Sequence, residues 1–336
     1  MVKLNVLDYA QIDEGSHSVQ AVRESVELAQ YAESLEYHRF WVAEHHDVPA
    51  FASSSPELLM MHLADHTNRI RIGSGGVMLP HYSPYKVAEN FKLLEAAHPH
   101  RIDLGIGNTA GTQVVQEALN ELRTRRWGYK TAISDVIHYL SKDKKPDFRF
   151  ENLQARPLIE SKPDMWLLST SVSNARLAAQ LGIGYCFGLF PYASGDKLEV
   201  GREACRVYRE EFQPSDILSE PRVMFSMFAA AGEDDKHAEA LAKSIDLWML
   251  GQEDFAKFKQ IPSIETAADY QLSAAEKRKV QANRSRLIVG GPKSIRQQLD
   301  VYIDAFQADE LLMCTIMPGI DNRKKGLEVL AEAFEN

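Results

Sequence analysis

The chain has 336 residues, 45% of them hydrophobic and 25% charged, with a formal net charge of -9. Its lysines and arginines are interspersed with acids, so no basic stripe for nucleic acid exists, and no run of about 18 apolar residues meets the need of a membrane span. Three widely separated cysteines, Cys186, Cys205 and Cys314, lack any Cys-x-x-Cys spacing, which argues against a disulfide framework or a thiolate zinc site; with no apolar leader at the N-terminus, a reducing cytoplasmic setting is expected.

Short apolar runs alternate with helical periodicities from end to end, the pattern of consecutive βα units. A strand is predicted over Lys3 to Asp8, then a helix carrying Val19, Val22, Val26, Ala29 and Leu35. The second strand, Arg39-Phe40-Trp41-Val42-Ala43, is apolar on both alternating faces, as in a sheet covered on both sides. It runs straight into Glu44-His45-His46. A helix near Glu57 to His66 follows a Ser-rich loop with Pro56 early in the helix, where its missing N–H costs nothing. Next come a strand over Ile70 to Ser74, a Gly-rich corner, a helix from Pro84 to Ala97 and a strand over Arg101 to Gly107.

Residues Asn108 to Gly128 are too polar and irregular to assign. A helix near Tyr129 to Leu140 precedes 148–159, whose alternation suggests a small hairpin. Further strands are expected at Met165 to Leu168, Tyr185 to Gly188, Arg222 to Ala229 and Glu310 to Met317. The intervening helices run near Asn174 to Leu181, stopped by Gly182 in a left-handed cap, then Asp196 to Phe212, Asp234 to Leu250 and Ser294 to Phe306. A closing amphipathic helix carries Leu327, Leu330 and Phe334. The charged excursion over 252–286 exceeds an ordinary βα loop and reads as an insertion able to act as a lid. Eight such units favour one domain, a closed (β/α)8 TIM barrel, over a doubly wound open sheet.

Chemistry is expected at the C-terminal ends of the strands. Consecutive strand residues point to opposite faces, so Glu44, His45 and His46 cannot all reach one ion, and no metal is expected; one histidine as acid/base, its neighbour turned outward, fits better. Gly73-Ser74-Gly75-Gly76 permits close approach to the backbone, by a ligand or in a tight turn. Gly105-Ile106-Gly107-Asn108-Thr109-Ala110 formally matches the dinucleotide fingerprint, but no acidic residue closes a second strand about 20 positions on, so the glycines are read as allowing a strand end to approach a neighbour. Ser169-Thr170-Ser171, ahead of a helix, suits a phosphate or a plain N-cap, and Gly290-Gly291-Pro292 offers a weaker case of the same kind.

Over nearly its whole length the chain resembles the bacterial-luciferase-like, flavin-dependent monooxygenase family. The resemblance is carried by Phe40 to His46, Arg69 to Pro80, Val87 to Ala96 with Arg101 to Gly107, Val289 to Arg296 and Asp309 to Met313. It implies a (β/α)8 barrel with an insertion between strands seven and eight, a homodimer, and reduced FMN supplied by a separate flavin reductase. It implies oxygenation of a small apolar, aldehyde-like substrate by O2 through a C4a-peroxyflavin. His45 matches the family's catalytic histidine, flanked by Glu44 and His46; Ser74, Gly75 and Gly76, with a non-proline cis peptide, would lie against the flavin ring, and Ser169, Thr170 and Ser171 would take its phosphate. Asn108 stands where many members carry an arginine for that phosphate, a contact that Arg125, Arg126 or Lys293 would have to replace. A non-catalytic barrel relative and a nicotinamide-dependent dehydrogenase are the alternatives.

Overall fold

The computed structural model describes residues 2–121, 128–141, 148, 150, 152–189, 196–251 and 257–335. The elements run β1 (Lys3–Asp8), α1 (Ser18–Ser34), β2 (Arg39–Val42), α2 (Pro56–Asp65), β3 (Arg71–Ser74), β4 (Val77–Met78), α3 (Pro84–Ala97), β5 (Ile102–Gly107), α4 (Gln113–Leu119), α5 (Tyr129–Leu140), β6 (Asp164–Ser169) and α6 (Val172–Leu181). They continue with β7 (Gly184–Gly188), α7 (Lys197–Glu210), β8 (Val223–Ala231), α8 (Asp235–Leu250), α9 (Ile264–Asp269), α10 (Ala274–Asn283), β9 (Leu287–Gly290), α11 (Pro292–Phe306), β10 (Glu310–Cys314) and α12 (Ile320–Glu332). Parallel pairing runs β1-β2-β3-β5-β6-β7-β8, and β10 pairs with both β8 and β1, closing an eight-stranded barrel. Two short strands lie outside this circuit: β4 beside β5, and β9 along the C-terminal half of β8.

The period-two alternation of the strands divides the apolar residues into two cores. Val6, Phe40, Val42, Ile72, Leu104, Ile106, Leu167, Phe225 and Leu311 point outward and pack under the helices. Leu7, Trp41, Trp166, Met224, Leu312 and Cys314 fill the barrel. α1 buries Ala21, Leu28, Ala29 and Ala32 together with Glu24 and Ser25, whereas Val19 of the expected apolar face is 60% exposed. The reason is polar: Glu24 receives a hydrogen bond from the buried Arg323 of α12, and Ser25 Oγ donates to Asp8 at 2.5 Å.

The floor of the barrel, at the N-terminal ends of the strands, is ionic. Arg39, 1% exposed, lies 2.7 Å from Asp103, 2.8 Å from Glu310 and 3.3 Å from Asp164, and Arg71 reaches Asp103 at 2.6 Å. Burial alone raises the Asp103 and Glu310 carboxyls, but the arginines overcome it and hold both below their ordinary values. Trp41 and Trp166 pack edge to face above this layer at 5.9 Å, and the Trp41 indole N–H donates to Asp103 at 2.9 Å.

The hairpin expected over 148–159 is not formed among the described residues of that stretch, which make a turn and bends with a cis Arg156–Pro157 peptide. Gly182 does end α6 in the left-handed conformation, at φ 63°. Among the described residues no helix is long and apolar enough to cross a membrane, and the three cysteines are free and buried.

Candidate active site

At the mouth of the barrel the chain leaving β2 keeps the strand's alternation. Glu44 and His46 turn to one side and meet: His46 Nε2 lies 2.7 Å from Glu44 Oε1. The same carboxylate oxygen accepts the Tyr82 hydroxyl at 2.5 Å, and Oε2 accepts the Met78 N–H at 2.8 Å. Glu44 thus ties the end of β2 to β4 and to the turn that follows it. His45 turns the other way, into a cluster of rings: 5.0 Å from Tyr9 and 5.3 Å from Phe51, with Phe51 in turn 5.1 Å from Trp248 of α8. No group of three His, Cys, Asp or Glu side chains among the described residues converges on a metal position.

This burial, reinforced by the neighbouring His46, pushes the His45 imidazole down to about 4. At that value His45 is neutral across the physiological range. His38, half-buried beside Arg39, is likewise pushed down to about 4. The unfolded chain protonates both near 6.5, so it binds more protons than the folded chain between pH 6.5 and 4. Folding stability is then fully present above 6.5 and falls as pH falls through that window. Thermal midpoints at pH 7.5 and 5.0 should differ less in His45→Gln than in the unsubstituted chain; an unchanged difference would show that His45 titrates normally.

The Gly75–Gly76 peptide is cis. The crowding at this corner comes from the chain itself: a Cβ on Gly76 would stand 2.7 Å from the Gly105 carbonyl oxygen, and one on Gly105 would collide with that of Ser74. Ser74 Oγ is consumed in the same contact, donating to Gly105 O at 2.9 Å and accepting Gly105 N at 3.1 Å. Its hydroxyl therefore serves β5 and leaves only backbone for a ligand. The first glycine of the dinucleotide-like run is spent on strand packing as well.

At the start of α6, Ser171 Oγ caps Asn174 N at 3.3 Å, with Ser169 and Ser173 hydroxyls at 3.3 and 3.2 Å. Thr170 is half-buried between them. These hydroxyls and the helix N-terminus form a neutral, donor-rich end with no carboxylate bonded to it among the described residues. The N-terminus of α11 is different. There Asp235 takes the Gly291 N–H at 2.8 Å and the Ser294 hydroxyl at 2.9 Å, so the weaker phosphate candidate is filled by the chain's own anion. Asn108 is exposed and makes no side-chain hydrogen bond among the described residues, and Lys293 is exposed on the first turn of α11. Arg125 and Arg126 lie outside the described residues.

One wall of the mouth comes from the insertion, of which residues 257–286 are described. Ile261 N donates to Ile12 O, and Glu14 N to Ile261 O, both at 2.9 Å. Glu14 Oε2 accepts Ser263 N and Thr266 Oγ1, both at 2.8 Å. Ile261 is fully buried in the same cluster as Tyr9, Phe51 and Trp248. The described part of the expected lid is thus a docked wall. Signals for Tyr9 and Ile261 were absent from the motifs, because each reaches the mouth from a loop with no pattern of its own.

The family model described as luciferase-like monooxygenase matches residues 2–308 of this barrel, and the chain belongs to that family. It is 32% identical over 335 residues to the N-acetyl-S-alkylcysteine monooxygenase of Bacillus subtilis, covering 99% of this chain and 98% of that one. Among solved structures, apo-MsnO8 superposes with a TM-score of 0.87 at 32% identity, covering 99% and 98% of the two chains. The oxygenating constituent of 3,6-diketocamphane monooxygenase from Pseudomonas putida, in complex with FMN, shares the fold at a TM-score of 0.65 and 18% identity, covering 98% and 96%.

Proposed function

We propose that the chain is an FMN-dependent monooxygenase that takes reduced flavin from a separate reductase and oxygenates a small, largely apolar organic substrate, working as a cytoplasmic homodimer. The observation that carries this reading is the mouth itself: a neutral imidazole set among Tyr9, Phe51 and Trp248, beside a backbone corner lacking Cβ atoms. The residues fit the cofactor. Hydroxyls of Ser169, Ser171 and Ser173 at the α6 N-terminus would hold the phosphate, and the Gly75–Gly76 backbone would face the ring system. FMN is also what the camphane-oxygenating barrel of the same fold holds.

Reduced flavin, once bound, supplies the two electrons that activate O2. The protein's own share is physical. The aromatic and aliphatic walls exclude water that would divert the oxidant, and the His45 N–H, uncharged at neutral pH, is a fixed donor for negative charge developing on oxygen. The neutral lining of Tyr9, Phe51, Trp248 and Ile261 favours an uncharged substrate portion. Thioether carbon, as the name of the cysteine-derivative relative suggests, is as compatible with this wall as an aldehyde chain.

Titrating the purified chain with oxidised FMN and with anaerobically reduced FMN tests the proposal. Saturable uptake of the reduced form is expected, weakened by Ser171→Ala. Absence of binding by either form at tens of micromolar, about 6 kcal/mol of binding free energy, would leave a non-catalytic relative as the reading.

A further inference from the structure

Building on the flavin reading, we propose that His46, oriented by Glu44, is the group through which the proton consumed in each turnover enters from solvent. Hydroxylation shows the need: RH + O2 + FMNH− + H+ gives ROH + H2O + FMN. Substrate and flavin each give up two electrons, O2 takes four, and one proton must arrive from outside.

The geometry separates the two histidines. Glu44 has a fully buried side chain, yet His46, bonded to it at 2.7 Å, is 17% exposed, so the pair spans the boundary between interior and solvent. Glu44 accepts from the Tyr82 hydroxyl on Oε1 and from the Met78 N–H on Oε2, so both oxygens act as acceptors. The proton in the His46 contact therefore sits on Nε2, and Nδ1, which makes no hydrogen bond among the described residues, is left as the basic nitrogen. A histidine held in one tautomer by a carboxylate, with its other nitrogen accessible, is the arrangement of a proton carrier. The charged and titratable groups around the pair are Glu57 at the start of α2, which acts on both Glu44 and Tyr82, together with Tyr82, His45 and the adjoining Asp47. The Tyr82 phenol is held protonated by burial and by Glu44, so it fixes the carboxylate and does not compete for the proton. Among the described residues His45 has no carboxylate partner, and it sits among rings.

Two measurements test the assignment. In the flavin-free, nitrogen-15-labelled chain above neutral pH, long-range proton–nitrogen correlations should show His46 as the Nε2–H tautomer, with the preference lost in Glu44→Leu. A protonated Nδ1 in the unsubstituted chain overturns the proposal. In single turnovers with photoreduced FMN and O2, His46→Ala and His46→Gln should form oxidised flavin about 100-fold more slowly, as removal of a proton-transfer group does, and added imidazole should recover the alanine variant. Unchanged rates, or a deficit that imidazole does not relieve, overturn it. Failure to take up reduced FMN removes the flavin reading but leaves the tautomer result standing, so the two failures are distinguishable.

Discussion

His45→Ala is expected to fold, to bind FMN nearly as tightly as the unsubstituted chain, and to lose about 100-fold or more in substrate oxygenation, the usual cost of removing a buried hydrogen-bond donor from developing charge. Burial holds the imidazole down at about 4, so at pH 7 it has almost no protonated fraction, and its N–H acts as a dipole. His45→Gln, which keeps a donor, should therefore recover part of the loss. Between pH 6 and 8 the rate ratio of variant to unsubstituted chain should stay flat. Product formation under saturating flavin, measured at several pH values, checks this; a ratio that collapses toward unity below pH 6.5 would mean that His45 titrates after all.

Arg39→Met should be the most damaging single change in the floor. Removing the guanidinium leaves Asp103 and Glu310 buried and without their chief partner. Breaking a buried pair in this way costs about 3–5 kcal/mol, and for a chain of this size that lowers the thermal midpoint by roughly 4–7 °C. Denaturant midpoints and calorimetry measure it. Arg206→Ala, which removes exposed ion pairs with Glu203 and Glu210 on α7, is the contrasting case and should leave the midpoint in place. Equal effects from the two substitutions would contradict the role given to the floor.

The barrel was legible because its strands are apolar on both faces and its helices are not, so the change of period marks every unit. β4 and β9 were not, since two or four residues carry no period. The β2 ending was half legible. Alternation alone places Glu44 and His46 on one side and His45 on the other, as found, but it says nothing of Tyr82 or Met78, which arrive from more than 30 positions away. The resemblance set Ser74 against the flavin together with Gly75 and Gly76; only the approach of Gly105 shows where its hydroxyl is used. The floor was missed for a related reason. Arg39, Asp103, Asp164 and Glu310 lie up to 271 positions apart, and each by itself resembles an ordinary charged strand end. A polar residue opening strand after strand in the inward-facing register was the signal that could have revealed it.

Trp41 and Trp166 separate the charged floor from the mouth, and this layer has a consequence for how disturbance travels through the barrel. Burial and His46, with no group of the floor, are what shift the imidazole above, so a charge lost below the indoles leaves that imidazole in place and floor and mouth are electrically separate. They are not mechanically independent. Trp41 hangs from Asp103 by its N–H and its ring occupies the space beside Gly73 and Gly75. A floor substitution that releases this tether would reach the glycine corner as a displacement, altering how well a planar cofactor seats without altering any proton equilibrium at the mouth.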